Sequence, residues 1–301
     1  MKKEGIGTLL AFLTAIISGF SIFANKFFIV GLDPLVFTAV RAIIIGFVFL
    51  VLSLVFNSWG KKENKKINWA YLLIIGIIGG GLAFFLFFSG LKITTGGRAA
   101  FLHKTLPFFV LILAYAFLRE KIAKKQVWAL VLMLIGVGAI SFATISPSAF
   151  WTDPQMGDLL VLAATFLWAI ENVVAKKAML KGEHNFVVSF ARMFFGGVFL
   201  FGVILLAGRF NTLFELTGIE WLYILASTAL LFGFVLTYYW SMKHVSVSKA
   251  STILLLAPVI TLFLGVVYYA EPVPALQLVG SALILVGAYL VAGVKSEFLR
   301  V

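Results

Sequence analysis

The chain has 301 residues, 62% of them apolar and only 12% charged, with a mean hydropathy of +1.10 and no cysteine. Soluble domains are about half apolar and about a quarter charged, so lipid must be the solvent for most of this surface. The lack of cysteine excludes disulfides, thiolate nucleophiles and Cys-ligated metals, and the formal net charge of +12 has to be explained by where the charges sit.

Apolar runs of roughly 18 to 25 residues are long enough to span a bilayer. Ten follow one another in the chain: 6–29, 34–56, 69–91, 96–118, 125–144, 157–177, 186–207, 219–240, 247–269 and 273–294. Hydrocarbon satisfies no free backbone group, so these spans are predicted to be helices. A barrel would show short alternating segments instead. Lys2 and Lys3 before the first run resemble the start of a secretory signal peptide, but the run is long enough to span and a matching segment recurs later in the chain.

The loops fix an expected orientation. Seventeen Lys and Arg residues fall in the N-terminus, the even-numbered loops and the C-terminus, among them Lys61, Lys62, Lys65 and Lys66; the odd-numbered loops hold only Lys92, Arg98 and Arg209. Cytoplasmic loops carry the basic excess, which places both termini inside and accounts for the positive charge without a nucleic-acid partner.

The chain repeats itself. Gly7-Thr8-Leu9-Leu10 matches Gly157-Asp158-Leu159-Leu160, and after a one-residue shift Arg41 meets Arg192, Lys92 meets Lys243, Arg98-Ala99 meets Lys249-Ala250, Pro107 meets Pro258, Glu120 meets Glu271 and Gly136 meets Gly287. Each unit, 1–146 and 157–301, holds five spans. Five is odd, so the second copy enters the membrane from the opposite side. The expected fold class is therefore an all-α integral membrane protein of ten transmembrane helices in two inverted five-helix repeats. Secondary transporters use this plan, with the substrate site near the midplane between the halves. The loop Ile145–Met156, with Pro147, Pro154 and no basic residue, joins the two units.

The stretch Lys92–Glu120 carries small residues opening span four, Leu106-Pro107, and Leu118-Arg119-Glu120 closing it. Lys243–Glu271 repeats this with Ala257-Pro258 and Tyr269-Ala270-Glu271. This set resembles the EamA domain of the drug/metabolite transporter superfamily, present twice over about 6–294. The resemblance implies a ten-helix carrier in the cell membrane with cytoplasmic termini and a central cavity, exporting or exchanging small organic molecules, amino acids among them. One departure stands out: His103-Lys104-Thr105 in span four faces Leu254-Leu255-Leu256 in the second repeat.

Ionisable groups inside a membrane are expensive and face protein or water. Taken in chain order, Thr14, Ser18, Ser21 and Asn25 share one face of span one, by a spacing of four, three and four; such a stripe lines a cavity or mediates helix contacts. Lys26 and Lys176 lie near span ends, where snorkelling to the headgroups explains them. Arg41 and Arg192 are repeat-related and lie about two turns inside their spans, for structural pairing or for substrate. Gly79-Gly80-Gly81 allows close packing or a hinge. His103 and Lys104 are cavity candidates on a polar half of span four. Trp168, Glu171 and Asn172 lie deep in span six, where Glu171 is a candidate for proton coupling, for a substrate amine, or for pairing with a basic neighbour such as Lys104. Tyr238-Tyr239-Trp240 suggests an interfacial belt or a cavity wall. Pro107 and Pro258 are kept as structural or substrate-related positions.

The sequence has no Walker loop, His-Glu-x-x-His motif or Gly-x-Ser-x-Gly elbow. Enzymatic chemistry, metal and cofactor are not expected, and transport would run on a gradient or by exchange, with protons the candidate coupling ion. Two other function readings compete: a facilitator or exchanger of anionic metabolites, suited to the excess of Lys26, Arg41, Lys104 and Arg192 over Glu171, and a membrane-embedded enzyme or lipid-handling protein.

Overall fold

A computed structural model describes residues 2–59, 67–143, 155–270 and 272–296. Lys61, Lys62, Lys65 and Lys66, Arg300, Glu271, and Pro147 and Pro154 of the connecting loop lie outside the described residues. Among the described residues, ten helices are long and apolar enough to cross a membrane: α1 (Lys3–Phe28), α2 (Pro34–Val55), α3 (Trp69–Leu91), α4 (Gly96–Leu118), α5 (Lys124–Phe142), α6 (Met156–Leu180), α7 (Asn185–Leu206), α8 (Gly218–His244), α9 (Val247–Tyr269) and α10 (Ala275–Ala292). Large apolar side chains such as Leu9, Leu206 and Tyr289 point outward, as a lipid-facing surface requires.

The packing has two-fold character. Helix α1 of the first repeat lies on α8 and α9, and α6 of the second lies on α3 and α4. Helices α2 and α7 pair with each other, as do α5 and α10. These partners exchange when repeat one is swapped for repeat two, and the odd span count makes the two repeats inverted. The matched glycines sit at the crossings. A Cβ on Gly90 would meet the Gly157 carbonyl oxygen at 2.7 Å, and one on Gly157 the Gly90 carbonyl oxygen at 2.6 Å. At the equivalent α1–α8 crossing, Ser241 donates to the Gly7 carbonyl at 2.7 Å. Gly136 and Gly280 approach each other across α5 and α10 in the same way.

Helices α4 and α9 are not continuous. Proline has no amide proton, and its ring clashes with the carbonyl four residues back. Accordingly α4 runs as Gly96–His103, turns through Lys104 and Thr105, and resumes as Leu106–Leu118. The amides of Thr105 and Phe108 reach three residues back, to Leu102 and Thr105, at 3.1 and 3.0 Å. Before Pro258, α9 passes through the 3-10 segment Leu254–Leu256. Both helices end in the left-handed region, at Arg119 and Ala270, each with φ of 52°. That shared ending is what the repeated Leu-Arg-Glu and Tyr-Ala-Glu signatures mark.

Helix α3 also departs from regular α geometry, with a π segment over Ile74–Leu82. π segments leave carbonyls free for other partners, and here the Gly79 carbonyl accepts a 3.0 Å hydrogen bond from Trp168 Nε1. The three glycines serve close packing. A Cβ on Gly79 would come within 2.0 Å of Glu171 Cγ, and one on Gly80 within 2.0 Å of the Arg192 carbonyl oxygen.

Candidate functional site

The interruptions in α4 and α9 open onto a central cavity of about 170 Å³ between the repeats. Of the predicted site residues, Ser18 (α1), His103, Lys104 and Pro107 (α4), Trp168 and Asn172 (α6), Arg192 (α7) and Tyr238 (α8) line it. Helices α2, α5 and α10 contribute no lining residue among the described residues. The wall is mainly apolar, with Phe84, Leu106, Met193, Phe234, Leu254 and Leu255 between the polar groups. His103 packs in an aromatic cluster, 4.8 Å from the ring of Trp168 and 5.6 Å from that of Phe87.

Glu171 does not line this cavity. It is fully buried behind the wall, 0% exposed, where it accepts a hydrogen bond from the Tyr239 hydroxyl. Its second oxygen lies 3.9 Å from Arg192 Nη1, which also donates to the Tyr239 oxygen at 3.4 Å. A pairing of Glu171 with Lys104 is therefore corrected: the cation beside Glu171 is Arg192. The reason is packing, because Gly79 lets the Glu171 side chain lie against α3 while α7 and α8 bring Arg192 and Tyr239 to its carboxylate. The match is loose, and Glu171 Oε2 and Arg192 Nε make no hydrogen bond. Lys104 forms no hydrogen bond or ion pair among the described residues, and its ammonium is left to the cavity.

Four other predicted residues lie elsewhere. Ser21 and Asn25 hydrogen-bond to each other, and Asn25 accepts from Ser227, which in turn accepts from Arg41 Nη1 at 2.6 Å. Arg41 also donates to the Phe37 carbonyl and stacks over the Phe37 ring at 4.0 Å. The stripe on α1 thus serves mostly helix contacts, with Thr14 bonded to Thr237 of α8 and Ser18 alone reaching the cavity. Pro258 shapes the α9 break without lining the cavity.

Two expectations about span ends change. Lys176 does not snorkel: it is 2% exposed and donates to the Met242 and Val245 carbonyls at the C-terminal end of α8, where the helix dipole favours a cation. Tyr238 and Tyr239 form no interfacial belt, both being fully enclosed by protein. Lys26 remains exposed near the ring of Tyr269.

Sequence reasoning missed two ties made by the repeat-equivalent basic residues Arg98 and Lys249. Asp158 accepts from Arg98 and, at 2.6 Å, from Thr94. The equivalent basic residue, Lys249, lies 3.6 Å from Glu4 and donates to the Ala292 and Val294 carbonyls. Glu120 receives the Val247 and Ser248 amides and the Ser248 hydroxyl, capping the start of α9. The acid in the first turn of spans one and six was the available signal, since a carboxylate there suits a helix N-terminus.

A model of the EamA-like transporter family matches residues 5–142 and again 155–293. This chain belongs to the EamA-like transporter family. It is a multi-pass membrane transporter, not an enzyme, and its partners are the bilayer and a small-molecule substrate. Among relatives of this EamA-like chain, an uncharacterized transporter of Archaeoglobus fulgidus is 28% identical, over 93% of this chain and 96% of that one. The uncharacterized transporter YyaM of Bacillus subtilis is 28% identical, over 81% of this chain and 80% of its own length. A Salmonella typhimurium protein named a probable amino-acid metabolite efflux pump is 25% identical, over 96% and 94%. A solved crystal structure superposes with a TM-score of 0.73 over 95% of this chain and 98% of the other, at 20% identity, a likeness of fold alone.

Proposed function

We propose that this EamA-like chain is a secondary carrier that exports or exchanges small polar metabolites, amino acids among them, by alternating access of the central cavity. The observation that carries this reading is the cavity itself, built at the repeat interface by two interrupted helices and lined by ionisable side chains. Discontinuous helices at a repeat interface are how inverted-repeat carriers hold polar solutes at mid-membrane depth. The printed name of the Salmonella relative supports export of amino-acid metabolites. The seventeen-to-three distribution of basic residues supports a plasma-membrane carrier with both termini cytoplasmic. The repeat units are taken as 1–146 and 157–301, and protons are the proposed coupling ion, with Glu171 the candidate carboxylate.

The unpaired Lys104 favours a second reading within transport, exchange of anionic metabolites. Counterflow in proteoliposomes across a panel of amino acids and organic anions tests both. Saturable counterflow of at least one solute is expected; flux that rises linearly with concentration would mean a channel. The cysteine-free chain also makes orientation measurable. In intact cells an impermeant maleimide is expected to label Thr152→Cys and to reach Asn64→Cys only after permeabilisation. The opposite pattern would reverse the orientation.

A further inference from the structure

We infer that the central cavity selects a compact organic monoanion, a carboxylate on an apolar body, and that Lys104 sets this preference. The inference rests on the transport reading above and names its substrate class. Two cations reach the cavity wall, and they differ. Arg192 has Glu171 beside it at 3.9 Å, while Lys104 has no acidic partner among the described residues. An ammonium held away from bulk water without a counter-ion is costly, and a carboxylate entering the cavity would provide one.

Among the described residues the wall offers no matching anion. Glu171 is 0% exposed and lies beside Tyr239 and Arg192 outside the lining, so a substrate ammonium would find no carboxylate there. Glu171 Oε2 also lacks a hydrogen bond but lies beside Arg192 behind the wall, and the unpartnered acceptors of the lining residues themselves are Asn172 Oδ1 and the Tyr238 hydroxyl, both neutral. They suit a hydroxyl or an uncharged N–H and do not balance a positive charge.

Repeat symmetry supplies the orientation. Lys104 and Leu255 are equivalent positions, one register of the repeat apart, and both line the same cavity. Equivalent positions thus contribute one charged and one apolar group to the same wall. Phe84, Phe234 and Leu254 extend the apolar side, and about 170 Å³ limits the occupant to a small body.

The test uses three solutes of one carbon skeleton: 4-methylpentanoate, leucine and 4-methylpentanamide. Thermal shift of the purified full chain and counterflow in proteoliposomes are the readouts. The acid is expected to bind at least tenfold tighter than the amide and tighter than leucine. Lys104→Met should remove that tenfold advantage of the acid over the amide, and Lys104→Arg should retain it. Leucine or the amide binding as well as the acid, no stabilisation by the acid, or a Lys104→Met protein that keeps the preference would each overturn the inference. The wild-type ranking decides the matter even where Lys104→Met fails to fold. Counterflow of leucine but not of the acid would reject this substrate class and leave the carrier reading standing; no saturable counterflow of any solute in the wider panel would reject the carrier reading itself.

Discussion

Three charged side chains well inside candidate membrane spans meet different fates, and the difference predicts their energetics. Glu171 and Arg192 are held against each other and against Tyr239, with Glu171 wholly enclosed by protein while Arg192 also reaches the cavity wall. Breaking such a pair leaves the survivor uncompensated, at about 3–5 kcal/mol. Arg192→Met is therefore expected to lower unfolding free energy in detergent by about that amount, and Glu171→Gln with Arg192→Met to recover part of it. Lys104 has no partner to abandon, so Lys104→Met should be neutral or stabilising in the same measurement. Equal losses for Arg192→Met and Lys104→Met would refute this division. The sequence made these ionisable residues legible as a group, because charge is rare in such spans. It did not reveal their partners. Glu171 meets Arg192 rather than Lys104 through side-chain packing around Gly79, which no spacing within one helix encodes.

At the scale of the elements, hydropathy located all ten spans to within a few residues, since a bilayer imposes length and apolarity on every crossing. The internal irregularities escaped that pattern: an interrupted helix keeps its apolar content, and a π segment keeps its length. Pro107 and Pro258 were the visible traces, and their role follows from the missing amide. In α4 the break tightens the ladder just past Lys104, where the Thr105 and Phe108 amides reach three residues back, beside the cavity that Lys104 lines. Pro107→Ala would restore a donor that can reach the His103 carbonyl and would favour a continuous helix. The expected result is a protein at least as stable as wild type, by up to about 3 kcal/mol, with reduced counterflow because the Lys104 turn is lost. Unchanged counterflow in Pro107→Ala would show that the break does not shape the site.

For the whole molecule, the two-fold relation between repeats places the equivalent basic residues Arg98 and Lys249 at opposite faces, each tied to an acid in the first turn of α6 or α1. Glu4 accepts from the Ser296 amide at 2.6 Å, which ties the segment after α10 to the start of α1 on the same face as the Lys249–Glu4 pair. The Arg98–Asp158 pair, with Thr94, closes α4 onto α6 at the other. Inverted repeats exchange conformations as a carrier alternates, so these ties should favour closure of opposite sides. Asp158→Asn and Glu4→Gln are then expected to shift the population in opposite directions. A single cysteine at Ser251, on the cavity wall, reports the shift through its labelling rate with an impermeant maleimide. In the proposed orientation, Asp158→Asn should speed labelling from outside, and Glu4→Gln should speed it only in inside-out vesicles. A tie of about 1.4 kcal/mol changes the population tenfold. The Glu4 effect should be the smaller, because Glu4 is 30% exposed and its pair is partly screened. Faster labelling from the same side in both variants would show that the ties do not act as opposed gates and would rule out symmetric exchange of the repeats.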